Sequence, residues 1–428
     1  MSIARLDMTL DNAVAHPTQA LSSKLPQGIS RMTPPNSVFV SQFGMQHAQH
    51  LALALHEGGM LKAFWSGVPV CADDSEIPAW LPRYYKERMR RVAIPRALRR
   101  HPSRFQMLWR IGKSLPLPFS RDDFFHRMHH AFDRWVAPQV RAIRPKVVVA
   151  YENAALETFR VAKAMGATCI LDASSLHHAA REQLMDIPRT PYTDAIYRQK
   201  HEEVALADLI LTCSPLAARS YIDNGAPQEK VFSLLLGAEL PPNNPPLFTA
   251  REKPRFVFAG SISYGKSIDL ILEAFRRLHA EQIPFELHFV GGVHDPELLE
   301  QVMALPGASY QPSVPHAQIY QVLAAADCLL LPSRLDSFGM VVAEAMACGT
   351  PALVSTQTGA KAIIEQYPGS GWIVEPDAQA LYAQVRALAL SAPQLRAARA
   401  HALQAAQSFT WTSYRQRVRD LFTQHVMA

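Results

Sequence analysis

One proline-rich segment limits what this chain can fold into. Five prolines stand between Glu239 and Pro254, and proline interrupts both the interior of a helix and a central strand. The chain has 428 residues, which is two to three times the usual domain length of roughly 100–150 residues. The segment therefore predicts two folded domains joined by a linker.

Short apolar runs alternate with stretches of helical periodicity on both sides of this segment. Such alternation is typical of parallel α/β units, in which a small-residue turn and a helix follow each strand. Predicted strands cover 38–41, 147–151, 169–172, 209–213, 255–259, 286–290, 328–331, 352–355 and 372–374, and predicted helices cover 45–57, 153–165, 267–281, 317–326 and 340–347. The predicted fold class is α/β, with two doubly wound Rossmann-like domains facing each other across a cleft.

The pattern also gives domain bounds. We expect a loose N-terminal extension over 1–35, a first Rossmann-like domain over 36–239, a linker over 240–254, a second Rossmann-like domain over 255–408, and a C-terminal helix over 409–428 that packs back toward the first domain. The extension lacks the continuous apolar stretch of a secretory signal, and no run reaches the roughly 18–20 apolar residues of a membrane span. We therefore expect a protein that stays in the cytoplasm.

The charge and the cysteine content bear on the partners of the protein and on whether disulfides or zinc stabilise it. The net charge is +6 and the pI is about 9.1, which favours anionic partners without naming one. The five cysteines are an odd number, lie far apart and include no Cys-x-x-Cys pair. This pattern disfavours a disulfide framework and a structural zinc site, so we expect buried, unpaired cysteines.

The strongest local motif is the block 332–351, which reads Pro-Ser-Arg-Leu-Asp-Ser-Phe-Gly-Met-Val-Val-Ala-Glu-Ala-Met-Ala-Cys-Gly-Thr-Pro. A loop carrying Asp336 follows a buried strand, and Ser337 opens a helix whose free N–H groups can hold phosphate or sugar oxygens. Glu344, in the middle of that helix, could accept two hydrogen bonds from a ribose diol. The alternative makes Ser337 a helix N-cap and Glu344 a solvated helix residue.

Further motifs accompany this block in a fixed order. They are Phe-Ala-Gly-Ser-Ile-Ser-Tyr-Gly-Lys at 258–266, Phe-Val-Gly-Gly at 289–292 and Ser-Phe-Thr-Trp at 408–411. With these motifs the chain from Arg255 to Phe422 resembles the donor domain of the retaining GT-B glycosyltransferases of family 4, whereas the first half is only loosely similar. The resemblance implies a GT-B fold and transfer of a sugar from a nucleotide diphosphate sugar, such as a UDP or GDP sugar, with retention.

The resemblance implies roles for individual residues of the second half. Lys266 would meet the donor diphosphate and Asp336 would contact the donor sugar, so these two are the implied catalytic residues. Glu344 would bind the ribose. The other implied donor-binding residues are Gly260 and Gly291, where the backbone approaches the nucleotide, Ser261, Val314 beside the base, and Ser337, Phe338, Gly339 and Met340, whose amides lie near the sugar and phosphates. No metal and no cofactor are implied, because Lys266 and helix N-termini would balance the donor charge.

The chain departs from the family pattern at several positions. Ser261 stands where the family has an arginine, so one of two cations expected at the diphosphate is absent. Further departures are Asp336 and Ala362 in place of glutamates, Ser267 in place of a glycine, and Tyr151 in place of a histidine that touches the donor sugar. Tyr151 and the following Glu152 remain candidates for contacts on the acceptor or sugar side.

The first half is expected to hold the acceptor. Gly44 and His47 follow the first strand, at the position of the family's glycine-rich loop; for His47 the alternative is an exposed helix histidine. His177 and His178 follow the third of the predicted strands and could face the cleft. A metal at this pair is disfavoured, because the sequence shows no third ligand at metal-binding spacing.

A basic segment lies between Arg83 and Arg104. It contains nine lysines or arginines and a single acid, Glu87, interleaved with aromatic and apolar residues. Such a segment fits a cationic helix on an anionic membrane or around a lipid diphosphate, and it fits a solvated basic face equally well. Nucleic acid binding is not expected, since no nucleic-acid module accompanies the charge.

Together with the basic segment, the resemblance implies a hexosyltransferase-type enzyme that adds a sugar to a glycan or lipid-linked acceptor in bacterial polysaccharide or glycoconjugate synthesis, in the cytoplasm or at the inner face of its membrane. A non-catalytic GT-B scaffold that binds nucleotide sugars is the alternative, kept open by Ser261, Ala362 and Tyr151. A phosphorylase would need a pyridoxal lysine that nothing singles out, and a nucleotide-sugar epimerase is a further GT-B possibility. A dehydrogenase is disfavoured because 260–265 lacks the Gly-x-Gly-x-x-Gly spacing.

Overall fold

The computed structural model describes residues 36–44, 47–81, 86, 89–102, 104–105, 107–108, 112, 121–185, 190–241 and 252–426. The predicted extension over 1–35 and most of the predicted linker over 240–254 lie outside these ranges. The described residues form two large parallel sheets flanked by helices, and one two-stranded ribbon. This is the α/β class that the sequence predicts.

The first half builds a seven-stranded sheet and a two-stranded ribbon from nine strands. Its strands are β1 Val38–Gln42, β2 Leu61–Ser66, β3 Val70–Cys71, β4 Arg90–Arg91, β5 Arg99–Arg100, β6 Val147–Tyr151, β7 Thr168–Ala173, β8 Leu209–Thr212 and β9 Val231–Ser233. Its helices are α1 Ala48–Glu57, α2 Arg121–Ile143, α3 Leu156–Ala164, α4 His178–Met185, α5 Pro191–Leu206 and α6 Pro215–Asp223. The sheet order is β5–β2–β1–β6–β7–β8–β9, all parallel, while β3 and β4 pair separately.

The second half builds a six-stranded sheet. Its strands are β10 Arg255–Ala259, β11 Glu286–Gly291, β12 Ala308–Pro312, β13 Cys328–Leu331, β14 Ala352–Ser355 and β15 Gly371–Val374. Its helices are α7 Ile268–Ala280, α8 Pro296–Ala304, α9 His316–Ala324, α10 Met340–Ala347, α11 Lys361–Gln366 and α12 Ala378–Ala389. The parallel order β12–β11–β10–β13–β14–β15 is that of a doubly wound sheet, and it reverses direction between β10 and β13.

The reversal points determine where ligands can bind. In the first sheet the strand order reverses between β1 and β6, and in the second between β10 and β13. Strands β6 and β13 are apolar and buried at every position, as parallel strands with helices on both faces must be. Ligands of such sheets bind in the crevice beyond the carboxyl ends of the strands at the reversal.

Two helices close the chain: α13 Ala392–Ser408 and α14 Trp411–Leu421, followed by the π-helical turn Phe422–Val426. Helix α14 packs against α1 of the first half. There Arg415 and Arg419 both pair with Glu57, and the Trp411 ring stacks on His50 with centroids 3.8 Å apart. The end of the chain therefore lies against a helix of the first sheet.

The sequence pattern misses some elements and shifts others. Strands β2, β3, β4, β5, β9 and β12 are not predicted. Strand β12 is only partly buried and so lacks the apolar run by which strands are found. The helix predicted over 153–165 begins instead at Leu156, because Asn153 has a left-handed φ of 71°. The helix predicted over 45–57 begins at Ala48, and residues 45–46 lie outside the described ranges.

All five cysteines are buried and unpaired, as the sequence predicts. Burial raises the pKa of the Cys169 thiol to about 12, so this side chain behaves as a small apolar group at neutral pH. Among the described residues, no helix is both long enough and apolar enough to cross a membrane.

Candidate active site

A cleft of about 850 Å³ lies between the two sheets and is lined by both. The predicted site residues that line it are His47, Tyr151, Gly260, Lys266, Asp336, Ser337, Phe338, Gly339, Met340 and Glu344. The predicted residues that are not among the described lining residues are Gly44, Glu152, His177, Ser261, Gly291 and Val314. The cleft thus brings together residues that follow β1, β6, β10 and β13, the strands at which both sheets reverse.

An ion pair joins the two strands at the reversal of the second sheet. Lys266 ends the short 3₁₀ turn Tyr264–Lys266 after β10, and Asp336 lies in the loop after β13. The Lys266 ammonium donates to Asp336 Oδ2 over 2.5 Å, and 28% of the lysine and 15% of the aspartate side chain is exposed. A cation and a carboxylate therefore stand together at the cleft wall.

Arg334 fastens these two loops to each other, and the sequence pattern does not single it out. Its guanidinium donates two hydrogen bonds of 2.7 Å to the Asp269 carboxylate and one of 2.8 Å to the Tyr264 carbonyl. Bidentate pairing of this kind fixes the orientation of both groups. Arg334 consequently holds the turn that carries Lys266 beside the loop that carries Asp336.

Helix α10 begins at the cleft. Gly339 caps it with φ 86°, a left-handed conformation that favours glycine, and a Cβ there would lie 2.8 Å from Leu331. Gly339, Met340 and Val341 all line the cleft. Because the first N–H groups of a helix have no partner within it, this end can bind an oxyanion such as phosphate.

Ser337 connects the two halves of the molecule. Its hydroxyl accepts a hydrogen bond of 3.1 Å from the Leu176 N–H, and its carbonyl accepts one of 2.5 Å from the Ser214 hydroxyl. The cap of α10 is Gly339, so the alternative reading of Ser337 as the N-cap is wrong. Loops that follow β7 and β8 of the first sheet therefore contact the second sheet next to the cleft.

Glu344 faces the cleft from α10. Its side chain is only 13% exposed and its Oε1 lies 2.9 Å from Nε2 of His316, a largely exposed residue at the start of α9. The alternative of a solvated helix residue is therefore wrong. His316 also lines the cleft, and the sequence pattern misses it because its significance lies in the contact with Glu344.

The remaining predicted donor residues lie near this wall. A Cβ on Gly291, whose φ is 151°, would stand 1.7 Å from the Gly260 carbonyl oxygen, so the close approach of the β10 and β11 loops itself requires glycine here. Ser261 is exposed and Val314 is half-buried. Ser261, Gly291 and Val314 are not among the described residues that line the cleft, and their predicted contacts with a donor stay predictions.

On the first sheet, His47 is buried and paired. Its Nε2 lies 2.7 Å from Asp172 Oδ1, and the two side chains are 4% and 6% exposed. His47 Nδ1 has no hydrogen-bond partner among the described residues, although His47 lines the cleft. The alternative of an exposed helix histidine is wrong, because the contact with Asp172 on β7 draws the ring inward.

Tyr151 and Glu152 follow β6 with different surroundings. The Tyr151 hydroxyl lies 2.6 Å from the Ser174 hydroxyl, and burial raises the pKa of Tyr151 well above its usual value, so the phenol stays neutral. Glu152 is 3% exposed and accepts hydrogen bonds of 2.8 and 2.7 Å from the Ser175 N–H and hydroxyl. Glu152 thus orders the loop after β7, while Tyr151 lines the cleft.

The sequence of the second half is similar to those of known glycosyltransferases. Residues 243–422 match the family model described as glycosyl transferases group 1. D-inositol 3-phosphate glycosyltransferase 1 of Catenulispora acidiphila is 34% identical over 170 residues, which cover 36% of this chain and 40% of that protein. The chain therefore matches less than half the length of this relative.

Solved structures extend the likeness to both halves. Sucrose-phosphate synthase from Thermosynechococcus elongatus superposes with a TM-score of 0.64 at 17% identity, covering 90% of this chain and 98% of that chain. HepE from Anabaena in complex with UDP superposes with a TM-score of 0.59 at 15% identity, covering 90% and 99%. At these identities the likeness shows the fold, and the fold is GT-B, as the sequence resemblance implies.

The structure shows the surroundings of three positions at which the sequence departs from the pattern that it resembles. Ser267 has φ 59° and ψ 37°, the left-handed region in which glycine is favoured. Ala362 is 9% exposed and lies on α11, outside the described residues lining the cleft. Ser261 is exposed and is not among the described residues that line the cleft, while exposed Arg90 of β4 lines the cleft from the first half.

The predicted cationic helix is absent over 89–102, the longest described stretch of the basic segment. Residues 89–102 form β4, a 3₁₀ turn over Arg96–Leu98 and β5, while 82–85, 87–88 and 103 lie outside the described residues. Arg99 is buried, pairs with Glu76 and donates to the Val70 carbonyl over 2.6 Å. Part of the basic segment therefore stabilises the edge of the first sheet, and the helical interpretation of 89–102 is wrong.

His177 does not line the cleft. It lies in a cluster with His178 and His201, which the sequence does not reveal. His177 is buried beside Ser220, whose hydroxyl accepts its N–H over 2.9 Å. Ring nitrogens of His177, His178 and His201 lie within 4.8 Å of one another. Burial lowers the pKa of His177 to about 4 and that of His178 to about 3. The expectation that the pair has no third partner is wrong, because α5 brings His201 alongside.

Proposed function

We propose that the chain is a glycosyltransferase that takes a hexose from a nucleotide diphosphate sugar and transfers it with retention. One observation carries this proposal: Lys266, Asp336, Glu344 and the N-terminus of α10 line a single cleft at the reversal of the second sheet. Each of these groups suits a different part of such a donor.

The leaving diphosphate meets the positive end of the site. Lys266 and the free amides of α10 are placed to stabilise the charge that develops as the bond from the sugar to the phosphate breaks. Glu344 accepts hydrogen bonds from the ribose hydroxyls, and Asp336 contacts the sugar. In retention by front-face attack, a phosphate oxygen of the leaving group takes the acceptor proton, so the protein supplies mainly position and charge.

A UDP-hexose is the first donor to test. HepE, which shares the fold, is described in complexes with UDP and with UDP and glucose. A GDP sugar is the second choice, because the groups that would contact the base are backbone groups near Val314 and do not by themselves select uracil. Lys266 and α10 serve the diphosphate of either nucleotide.

The acceptor binds to the side of the cleft that is lined by residues of the first half. His47, Tyr151 and Arg90 line the cleft opposite the donor residues, so they can contact an acceptor hydroxyl and an anionic group attached to it. A growing glycan on a lipid diphosphate has both, which fits bacterial polysaccharide or glycoconjugate synthesis and a protein at the inner face of the cytoplasmic membrane.

Thermal stabilisation by free nucleotides tests the donor site without an acceptor. A ligand present at 100 times its dissociation constant stabilises the folded state by roughly 2.7 kcal/mol, and UDP, GDP, ADP, CMP and dTDP can be compared directly. We expect a selective rise in Tm with UDP and hydrolysis or transfer with UDP-hexoses. A folded sample that responds to none of the nucleotides would overturn the proposal.

A non-catalytic scaffold that binds nucleotide sugars is the second candidate. It is favoured by Ser261 at the arginine position and by the direct pairing of Lys266 with Asp336 over 2.5 Å, which leaves less positive charge for the diphosphate. The scaffold binds UDP but neither hydrolyses nor transfers UDP-hexoses with any glycan acceptor. Hydrolysis in the wild type that is lost in Lys266→Ala would identify the enzyme instead.

A further inference from the structure

Three histidines meet beside the loop that follows β7. His177 directly precedes α4, His178 is its first residue, and His201 lies on α5. One ring nitrogen from each lies within 4.8 Å of the other two. Three imidazoles at such distances can bind one ion after small side-chain adjustments. His201 therefore adds a third potential ligand to the pair that is adjacent in sequence.

The three rings differ in how firmly they are held. His177 is 3% exposed, and its Nδ1 accepts a long hydrogen bond of 3.3 Å from the Ala179 N–H. His178 is half-buried beside Tyr197, with ring centroids 4.9 Å apart. His201 is exposed on its helix. The cluster therefore has a fixed inner ring and an outer ring that is free to rotate toward it.

The surrounding charges are close to balanced. Lys200 neighbours the cluster, and its ammonium lies 3.4 Å from the buried Glu152 carboxylate. Glu182 on α4 also acts on His178. The lysine charge that would oppose a cation is thus offset by two carboxylates. An imidazole that binds a metal does so through the lone pair of an unprotonated ring nitrogen.

We propose that His177, His178 and His201 bind a divalent transition metal, and that Zn²⁺ is the ion whose preferences they match best. Neutral imidazoles suit Zn²⁺, and three of them leave a fourth position of the tetrahedron for water. Zn–N bonds of about 2.0–2.1 Å place the nitrogens of a tetrahedral site roughly 3.3 Å apart. The three nitrogens lie within 4.8 Å of one another, so they must draw closer to reach that spacing, and the exposed side chain of His201 is placed to move.

This metal site is separate from the donor residues but connected to them. The Leu176 N–H, next to His177, donates to the Ser337 hydroxyl over 3.1 Å. A metal would tie α4 and α5 to this loop and so hold the loop against the second sheet. The site does not depend on the proposed transferase activity, because metal binding can be measured with no donor or acceptor present.

Cobalt binding to the full-length, untagged protein tests the proposal. Tetrahedral Co²⁺ has a strong visible absorption, so metal-free protein is titrated with Co²⁺ and the bound ion is then displaced with Zn²⁺. We compare the wild type with His178→Ala and His201→Ala, and use His279→Ala, an exposed histidine on α7, as the matched control. The melting temperature of each variant checks that it is folded.

We expect one equivalent of Co²⁺ in the wild type and the control, and affinity at least tenfold lower in both cluster variants. Zn²⁺ should also raise the Tm of the wild type and of His279→Ala but not that of His201→Ala. Equal Co²⁺ affinity in all four proteins, or no absorption in the wild type at submillimolar Co²⁺, would overturn the proposal. If His178→Ala does not fold, the exposed His201 alone decides the outcome.

Discussion

The Lys266 ammonium lies 2.5 Å from the Asp336 carboxylate, although the two residues are 70 positions apart in the chain. The contact spans the reversal between β10 and β13, where a doubly wound sheet binds its ligands. A donor diphosphate must share Lys266 with Asp336 or take it over. The two side chains therefore have opposite effects on an anion that enters the cleft.

Opposite changes in nucleotide affinity are expected from Lys266→Ala and Asp336→Asn. Loss of the cation should weaken UDP binding and reduce transfer by about 10²–10³-fold, the usual effect of removing one group that stabilises developing charge. Loss of the carboxylate should tighten UDP binding several-fold, because Lys266 is then fully available, while transfer still falls for want of the sugar contact. Calorimetric titration with UDP and initial rates with a UDP-hexose measure both effects.

Lys253→Ala is the control for this pair, because Lys253 is exposed and does not line the cleft. Its affinity and rate should equal those of the wild type. Weaker UDP binding in Asp336→Asn would show that the ion pair supports the site and does not compete with the ligand.

Discrimination between ribose and deoxyribose should depend on Glu344. Hydrogen bonds to a charged group contribute about 1.5–3 kcal/mol, so Glu344→Ala should weaken UDP binding by about 10- to 150-fold. A nucleotide that lacks both ribose hydroxyls should bind the wild type weakly and the variant no worse. His316→Ala, which removes the exposed partner of Glu344, should have a smaller effect. Undiminished preference for UDP in Glu344→Ala would remove this residue from the ribose site.

The sequence predicts the strands of the second sheet that are apolar runs, of which Cys328–Leu331 is the clearest, and misses the partly buried β12. It also places Lys266 and Asp336 at one edge, since the carboxyl ends of parallel strands meet there. What it cannot supply are contacts between distant elements. The buried pair of His47 with Asp172 and the approach of His201 to His177 depend on how helices pack, and no local pattern encodes that packing.

Arg334 should act on donor affinity through the turn that carries Lys266. Arg334→Lys keeps the charge but cannot reproduce the two 2.7 Å bonds to Asp269, so the turn loses its fixed position. We expect KM for the donor to rise by about 5- to 30-fold, equivalent to about 1–2 kcal/mol, with a smaller change in kcat. A double-mutant cycle with Asp269→Asn should show strong coupling between the two residues. Additive effects would mean that the pair does not position Lys266.

The contribution of Glu203, which is fully buried on α5, to the stability of the protein should fall as pH rises. Burial raises the pKa of its carboxyl to about 7, whereas the unfolded chain has a pKa of about 4.3. Between these values the folded state binds more protons than the unfolded state. The contribution to the free energy of unfolding is therefore full below about pH 4 and declines by about 3 kcal/mol as pH rises to about 7.

Urea unfolding at pH 5, 6, 7 and 8 checks this prediction when the wild type is compared with Glu203→Gln. The difference between the two free energies isolates Glu203 from the buried histidines, whose lowered pKa values act in the opposite direction. The glutamine variant should lose relative stability at pH 5 and regain it at pH 8. A difference that does not change with pH would contradict a raised pKa at Glu203.

Ser267→Gly should stabilise the protein. Ser267 is fully buried in the left-handed conformation, with φ 59°, which disfavours a residue with a Cβ by about 1 kcal/mol. Its hydroxyl also has no hydrogen-bond partner among the described residues, and leaving a buried polar group unsatisfied costs about 1–3 kcal/mol. Glycine removes both penalties, and its greater freedom in the unfolded chain offsets about 0.5–1 kcal/mol of the gain. Urea unfolding should therefore show a net rise in the free energy of unfolding of about 1 kcal/mol or more.

Ser263→Gly is the matched control for Ser267→Gly, because Ser263 has an extended φ of −157° and gains nothing from glycine. A loss of stability in Ser267→Gly would mean that the hydroxyl has a partner that holds the start of α7.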